Sequence, residues 1–107
     1  MKRLTRRAQA TDDLEIAFDY YFDAVNLDLA ERFRDEVDDA MVHISRHPGT
    51  GSRRYSVSHA AGLAGGDLRF WTLNKFPYSI FYFEREDFIE IIRVLHQASN
   101  TPVHLEP

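Results

Sequence analysis

No cysteine occurs in the 107 residues, which excludes a disulfide scaffold, a thiolate metal site and a cysteine nucleophile. No apolar run approaches the roughly 20 residues that a membrane-crossing helix needs. The segment from Met1 to Glu15 begins basic but leads into no apolar stretch, so no secretory signal is expected and a cytoplasmic location suits the missing thiols. Lysine and arginine are outnumbered by acids, 13 to 17, for a formal net charge of −4. Wholesale binding to phosphate backbones needs a basic footprint, and that balance does not supply one. Glycines are few: Gly62, Gly65 and Gly66 are badly spaced for a phosphate loop, and no Lys-Ser/Thr pair follows them. No serine stands in a GxSxG context. Internal repeats and low-complexity segments are also missing.

Aromatic residues, by contrast, are plentiful: eight Phe, five Tyr and one Trp. Rings bury large areas, so a compact core is feasible in a chain with room for one domain only, spanning 1–107. The charge is unevenly placed. The first seven residues hold four bases and no acid, whereas Asp12 to Asp39 contain eleven acids against Arg32 and Arg34 alone.

Lys2 to Arg6 reads as a short first strand. From Thr11 the apolar spacing turns helical: Leu14, Ala17, Phe18, Tyr21 and Val25 recur at three- and four-residue steps, with Asp12, Asp13, Glu15, Asp19 and Asp23 on the remaining surface. Thr11 or Asp12 is the expected cap. After a break at Asn26 to Asp28, a second helix places Ala30, Phe33, Val37, Ala40, Met41 and Ile44 along one face, and Pro48-Gly49 stops it. The C-terminal half alternates strand-like runs with turns. Arg53 to Ser58, Asp67 to Phe76, Tyr78 to Glu84 and Phe88 to His96 are the candidate strands, the last pair joined by Arg85-Glu86-Asp87. SIFYF and IEIIRVL are apolar at both parities, as strands covered on two faces should be. The expected fold class is α+β: an N-terminal antiparallel helical hairpin packed on a twisted, mainly antiparallel sheet of three to four strands.

His43 and His47 stand four apart on one helix, the spacing of two metal ligands on a face. They lie in no HExxH pattern and a third ligand would have to come from elsewhere, so neither a metal nor any other cofactor is expected. Arg69, Lys75 and Arg93 interrupt otherwise apolar strands. They are either rim residues with their stems over apolar surface or a cationic patch among aromatics.

These residues carry a resemblance. The acidic hairpin with Ala30 and Arg32-Phe33, the His47-Pro48-x-x-Gly51 break, Leu68-Arg69, Pro77-Tyr78-x-Ile80-Phe81-Tyr82 and the closing Ile91-Ile92-Arg93-Val94-Leu95-His96 follow one another in the order and spacing of the RelE/ParE toxins. The chain resembles that family over nearly its whole length, and its ParE-like branch most. His59 to Gly66 and Gln97-Ala98-Ser99-Asn100 depart from the family pattern.

The resemblance implies the toxin of a type II toxin–antitoxin pair. It would inhibit DNA gyrase without chemistry of its own, be neutralised by a ParD-like antitoxin in a hetero-oligomer, and meet DNA only through that antitoxin. A RelE-like ribosome-dependent mRNA endonuclease and a non-toxic antitoxin-binding paralogue are the alternatives. The low count of bases speaks against the nuclease, whose reaction requires cations around the phosphorane. Under the ParE reading Arg69, Trp71, Tyr78, Tyr82, Arg93 and His96 are the expected target contacts, because interface energy concentrates in Arg, Trp and Tyr. Phe18, Tyr21, Phe33, Val37 and Phe81 are the expected antitoxin contacts, in a groove between hairpin and sheet.

Overall fold

The computed structural model describes residues 1–53 and 68–98. Strand β1 (Arg3–Arg6) leads into helix α1 (Ala8–Ala24), which turns back into helix α2 (Leu27–Arg46). A single 3-10 turn (Pro48–Thr50) follows, and the strands β2 (Leu68–Thr72), β3 (Tyr78–Glu84) and β4 (Phe88–His96) complete the fold. The sheet order is β1-β4-β3-β2. Pairing is antiparallel for β2 with β3 and β3 with β4, while β1 runs parallel to β4, Arg3 opposite Phe88. The architecture is therefore α+β with a mixed sheet.

Helix α2 forms as its periodicity predicts. The Asn26 side chain accepts the Leu29 N–H at 2.9 Å and so caps the first turn. His43 and Arg46 stand in the last turn, on the favourable side of the helix dipole. Its six expected core residues, Ala30 to Ile44, are all buried.

Helix α1 differs from expectation in three respects. It starts at Ala8, not Thr11, and its N-cap residue Arg7 makes no side-chain cap bond. The start is set by the sheet instead: the Arg7 N–H donates to the Ile91 carbonyl at 2.9 Å, so the chain leaves β1 directly into the helix. Val25 lies past the last helical residue and is exposed, because the chain has already turned there. Asp13 is not a surface acid but faces β4, as described below. Ala10 and Ala17 supply the close approach to the sheet, both being buried.

Two apolar layers sandwich the strands. Between helices and sheet lie Phe33, Val37, Ile44, Ile80, Tyr82, Ile89, Ile91 and Val94. Successive strand residues point to opposite faces, so Leu68, Phe81, Phe83, Ile92 and Leu95 form a second buried cluster on the far side. This accounts for the apolar residues at both parities in β3 and β4. A register shift at Phe81/Tyr82 bends the central pair. β2 is shorter than expected. It ends at Thr72, and the carboxylate of Glu36 on α2 draws the following residues into a turn by accepting the Asn74 N–H at 2.6 Å and the Lys75 N–H at 3.2 Å. Most of the expected strand at Arg53 to Ser58 lies outside the described residues; Ser52 makes an isolated bridge to Phe70.

Candidate functional site

The residues expected to meet a target fall into two groups. At one end of the sheet, Arg69 and Tyr82 are direct partners across β2 and β3. Tyr82 is fully buried, and its hydroxyl donates to the Pro48 carbonyl at 2.6 Å while accepting the Gly51 N–H at 3.0 Å. Burial raises the Tyr82 phenol above its ordinary range, against a smaller opposing effect of the Gly51 N–H and Arg69. The Arg69 guanidinium donates to the carbonyls of Gly49 and Gly51 at 3.2 and 3.1 Å. Together the pair pins the segment after α2 to the sheet. A Cβ at Gly51 would overlap the Tyr82 hydroxyl, which explains the glycine. Tyr82 is thus an internal staple, and the expectation of a surface contact there is corrected by its burial. Trp71, half-buried, lies on the same face and packs against His43 with ring centroids 4.7 Å apart.

The second group sits at the opposite corner, where β4 ends. Arg93 donates to both carboxylate oxygens of Asp13 at 2.8 and 2.9 Å, and the same carboxylate accepts the Val94 N–H at 3.0 Å. The Asp13 hydrogen bond is the main reason the Arg93 pKa is raised, partly offset by burial. Arg93 is therefore committed to α1. Tyr78 and His96 are opposite each other in register with rings 5.1 Å apart. His96 is exposed, and its Nδ1 accepts the Ala98 N–H at 2.9 Å, which puts the proton of the neutral ring on Nε2. Tyr78 also packs on Tyr21 and Phe33; burial, and then the neighbouring Tyr20, raise its pKa. Asp13, Ile16, Tyr78, Arg93 and His96 line one open cleft of about 220 Å³.

The expected groove between hairpin and sheet is filled by the chain itself. Phe33 and Val37 are 1 % and 2 % exposed, and Tyr21 interlocks with Phe33 and Phe76 at centroid distances of 5.3 and 5.1 Å. Phe81 belongs to the other side of the sheet, stacked on Phe70, because strand alternation turns it away from Tyr82. A cleft of about 430 Å³ does open between the two helices, with Leu14, Phe18, Phe33 and Val37 in its apolar lining and Glu15, Asp19 and Asp38 among its charges. Another of about 590 Å³ lies between α2 and the β2–β3 connection, walled by Trp71, Phe76 and His43. The first brings together three of the five expected antitoxin contacts.

Sequence reasoning passed over Asp13 as a contact partner, and also Ile16 and Tyr20. These last two are large, lie four residues apart off the buried stripe of α1, and are 69 % and 61 % exposed. Their position off the stripe was the signal available. Among the described residues no group of three or more His, Cys, Asp or Glu is arranged to hold a metal ion, and no helix is long and apolar enough to cross a membrane. His43 Nε2 lies 3.2 Å from the Thr50 hydroxyl, and the His43 and His47 rings are 5.3 Å apart.

A helical hairpin on a mixed four-stranded sheet is the fold of a solved structure described as the chromosomal ParDE TA system from P. aeruginosa. The TM-score is 0.71 at 21 % identity, over 90 % of this chain and 96 % of that one, and at such identity the likeness establishes the fold alone. Among curated proteins none matches. Residues 4–101 match the family described as ParE toxin of type II toxin-antitoxin system, parDE, and the chain belongs to that family.

Proposed function

We propose that this chain arrests growth by holding DNA gyrase in an inhibited state through protein–protein contact, and that a ParD-like antitoxin neutralises it in the cytoplasm. Membership of the ParE toxin family supports the reading. One structural observation favours it over the nuclease alternative: three arginines of the sheet and its β3–β4 turn have their charge engaged within the chain. Arg69 donates to two backbone carbonyls, Arg85 pairs with Glu90 at 2.9 Å and Arg93 pairs with Asp13. The unprotonated nitrogen of His96 is also occupied, by the Ala98 N–H. Stabilising a phosphorane and activating a 2′-hydroxyl call for accessible cations and an accessible base.

The inter-helix cleft is the proposed seat for an amphipathic antitoxin helix, with the part-exposed Leu14 and Phe18 as its apolar contacts. Such a segment would fold as it binds, leaving the DNA contact to the antitoxin's other part. Arg69, Trp71, Tyr78 and His96 remain the proposed target contacts. Pulse-labelling after induction tests the reading. DNA synthesis is expected to stop first; arrest of protein synthesis first, with cut mRNA, would transfer the chain to the nuclease class.

A further inference from the structure

The outer flank of α1 carries an apolar surface that neither the core nor the inter-helix cleft uses. Ile16 and Tyr20 are neighbours one turn apart, and both project to solvent. Phe18, between them in sequence, turns the other way into the inter-helix cleft. The patch continues across the seam to the sheet: Ile16 shares its cleft with Tyr78 and His96, and the Tyr20 ring lies 5.3 Å from that of Tyr21, which in turn packs on Tyr78. Single exposed apolar residues are unremarkable, but a continuous aromatic and aliphatic surface around a cleft marks a binding face.

The charge around this face selects its partner. From Ala8 to Glu31 there are seven acids and no lysine or arginine. Asp13 is taken by Arg93 and Asp28 by Arg32, whereas Asp12, Asp19 and Asp23 are exposed. At 3.6 residues per turn these three lie within about 60° of Ile16 around the helix, beside the patch. A second copy of the chain would set those carboxylates against their own kind, and nucleic acid would be repelled outright. A protein segment with basic side chains flanking apolar ones meets both features.

We infer that the Ile16–Tyr20 flank of α1, with Tyr78 and His96 at its border, is the surface that seats on gyrase, and that the gyrase segment it takes is cationic with apolar side chains between its charges. This rests on the proposed function. An enzyme that works on DNA must hold phosphates with lysines and arginines, so an acidic, partly apolar helix flank has a natural counterpart there.

The test titrates purified protein into gyrase supercoiling and measures antitoxin affinity in parallel, for wild type, Ile16→Ser/Tyr20→Ser and Asp12→Lys/Asp23→Lys. The second variant alters only exposed charges, so it reports even if the first is poorly folded. Both are expected to need at least about tenfold more protein for half-inhibition while antitoxin affinity stays near wild type, and added salt should weaken wild-type inhibition. Inhibition by the folded variants equal to wild type would overturn the proposal, as would an equal loss of antitoxin binding. Absence of inhibition by wild type would overturn the gyrase reading itself, and the assignment of the surface with it.

Discussion

Asp13 on α1 and Arg93 on β4, 80 residues apart in the chain, meet in a two-point ion pair whose carboxylate also accepts the Val94 N–H. Both side chains are mostly shielded from solvent, at 17 % exposure for Arg93 and 13 % for Asp13. The pair ties the helical hairpin to the sheet at the corner where Tyr78 and His96 also sit, so the geometry of the proposed target surface depends on it.

Asp13→Ala should therefore destabilise the fold markedly, since it removes the two-point ion pair from a shielded guanidinium and the acceptor of the Val94 N–H. A loss of about 2 to 3 kcal/mol is expected, corresponding to a drop of roughly 10 °C or more in Tm for a domain of this size. Thermal unfolding followed by circular dichroism measures it. A Tm within a degree or two of wild type would show that the pair adds nothing.

The staple at the other end gives a second expectation. Tyr82→Phe removes the hydroxyl that bonds Pro48 and Gly51, leaving a buried N–H unsatisfied at a cost of about 1 to 3 kcal/mol. Gly51→Ala should cost a comparable amount, because its methyl would occupy the space of the same hydroxyl and press on the Phe70 carbonyl. The two changes act on one contact, so their combination is expected to be less than additive. Additive losses in denaturant unfolding would contradict the shared contact.

Acid sensitivity should trace partly to Glu90. Hydrogen bonding from Arg7 first, and then from Arg85, lowers its pKa below the ordinary 4.5, with burial working against them. A carboxylate lowered on folding contributes stability that is present above its unfolded pKa and is lost as pH falls through the folded one. Glu90→Gln is thus expected to flatten the decline in stability below about pH 4.5. An unchanged slope of stability against pH in that window would exclude the group.

Arg69→Ala separates a target contact from a purely internal one. Loss of the two carbonyl bonds should cost about 1 kcal/mol, too little to unfold the chain. If Arg69 also touches the target, gyrase inhibition falls by at least about tenfold at unchanged antitoxin affinity. Inhibition equal to wild type would leave it a structural residue.

These cases also mark how far the sequence could be read. Helix α2 and strands β3 and β4 were legible because their signals are local: a 3.6-residue stripe stopped by Pro48-Gly49, and β-branched and aromatic runs bounded by turns. The start of α1 was not, since Arg7 caps nothing and β1 pairs in parallel with a strand some 85 positions away. Of the expected target contacts, Trp71, Tyr78 and His96 reach or border the surface. Arg69 and Arg93 read as uncommitted cations because their acceptors, two glycine carbonyls and an acid on a distant helix, are brought to them only by the tertiary fold. Tyr82, counted among the expected target contacts, is held inside by the Pro48 carbonyl and the Gly51 N–H, which only the tertiary fold brings to it.

The most direct measurement is supercoiling of relaxed plasmid by gyrase with antitoxin-free protein titrated in. Inhibition at stoichiometric or slightly higher amounts, with broken plasmid accumulating and reversal on adding the antitoxin, is the expected result. Undiminished supercoiling in the presence of folded protein would contradict gyrase as the target.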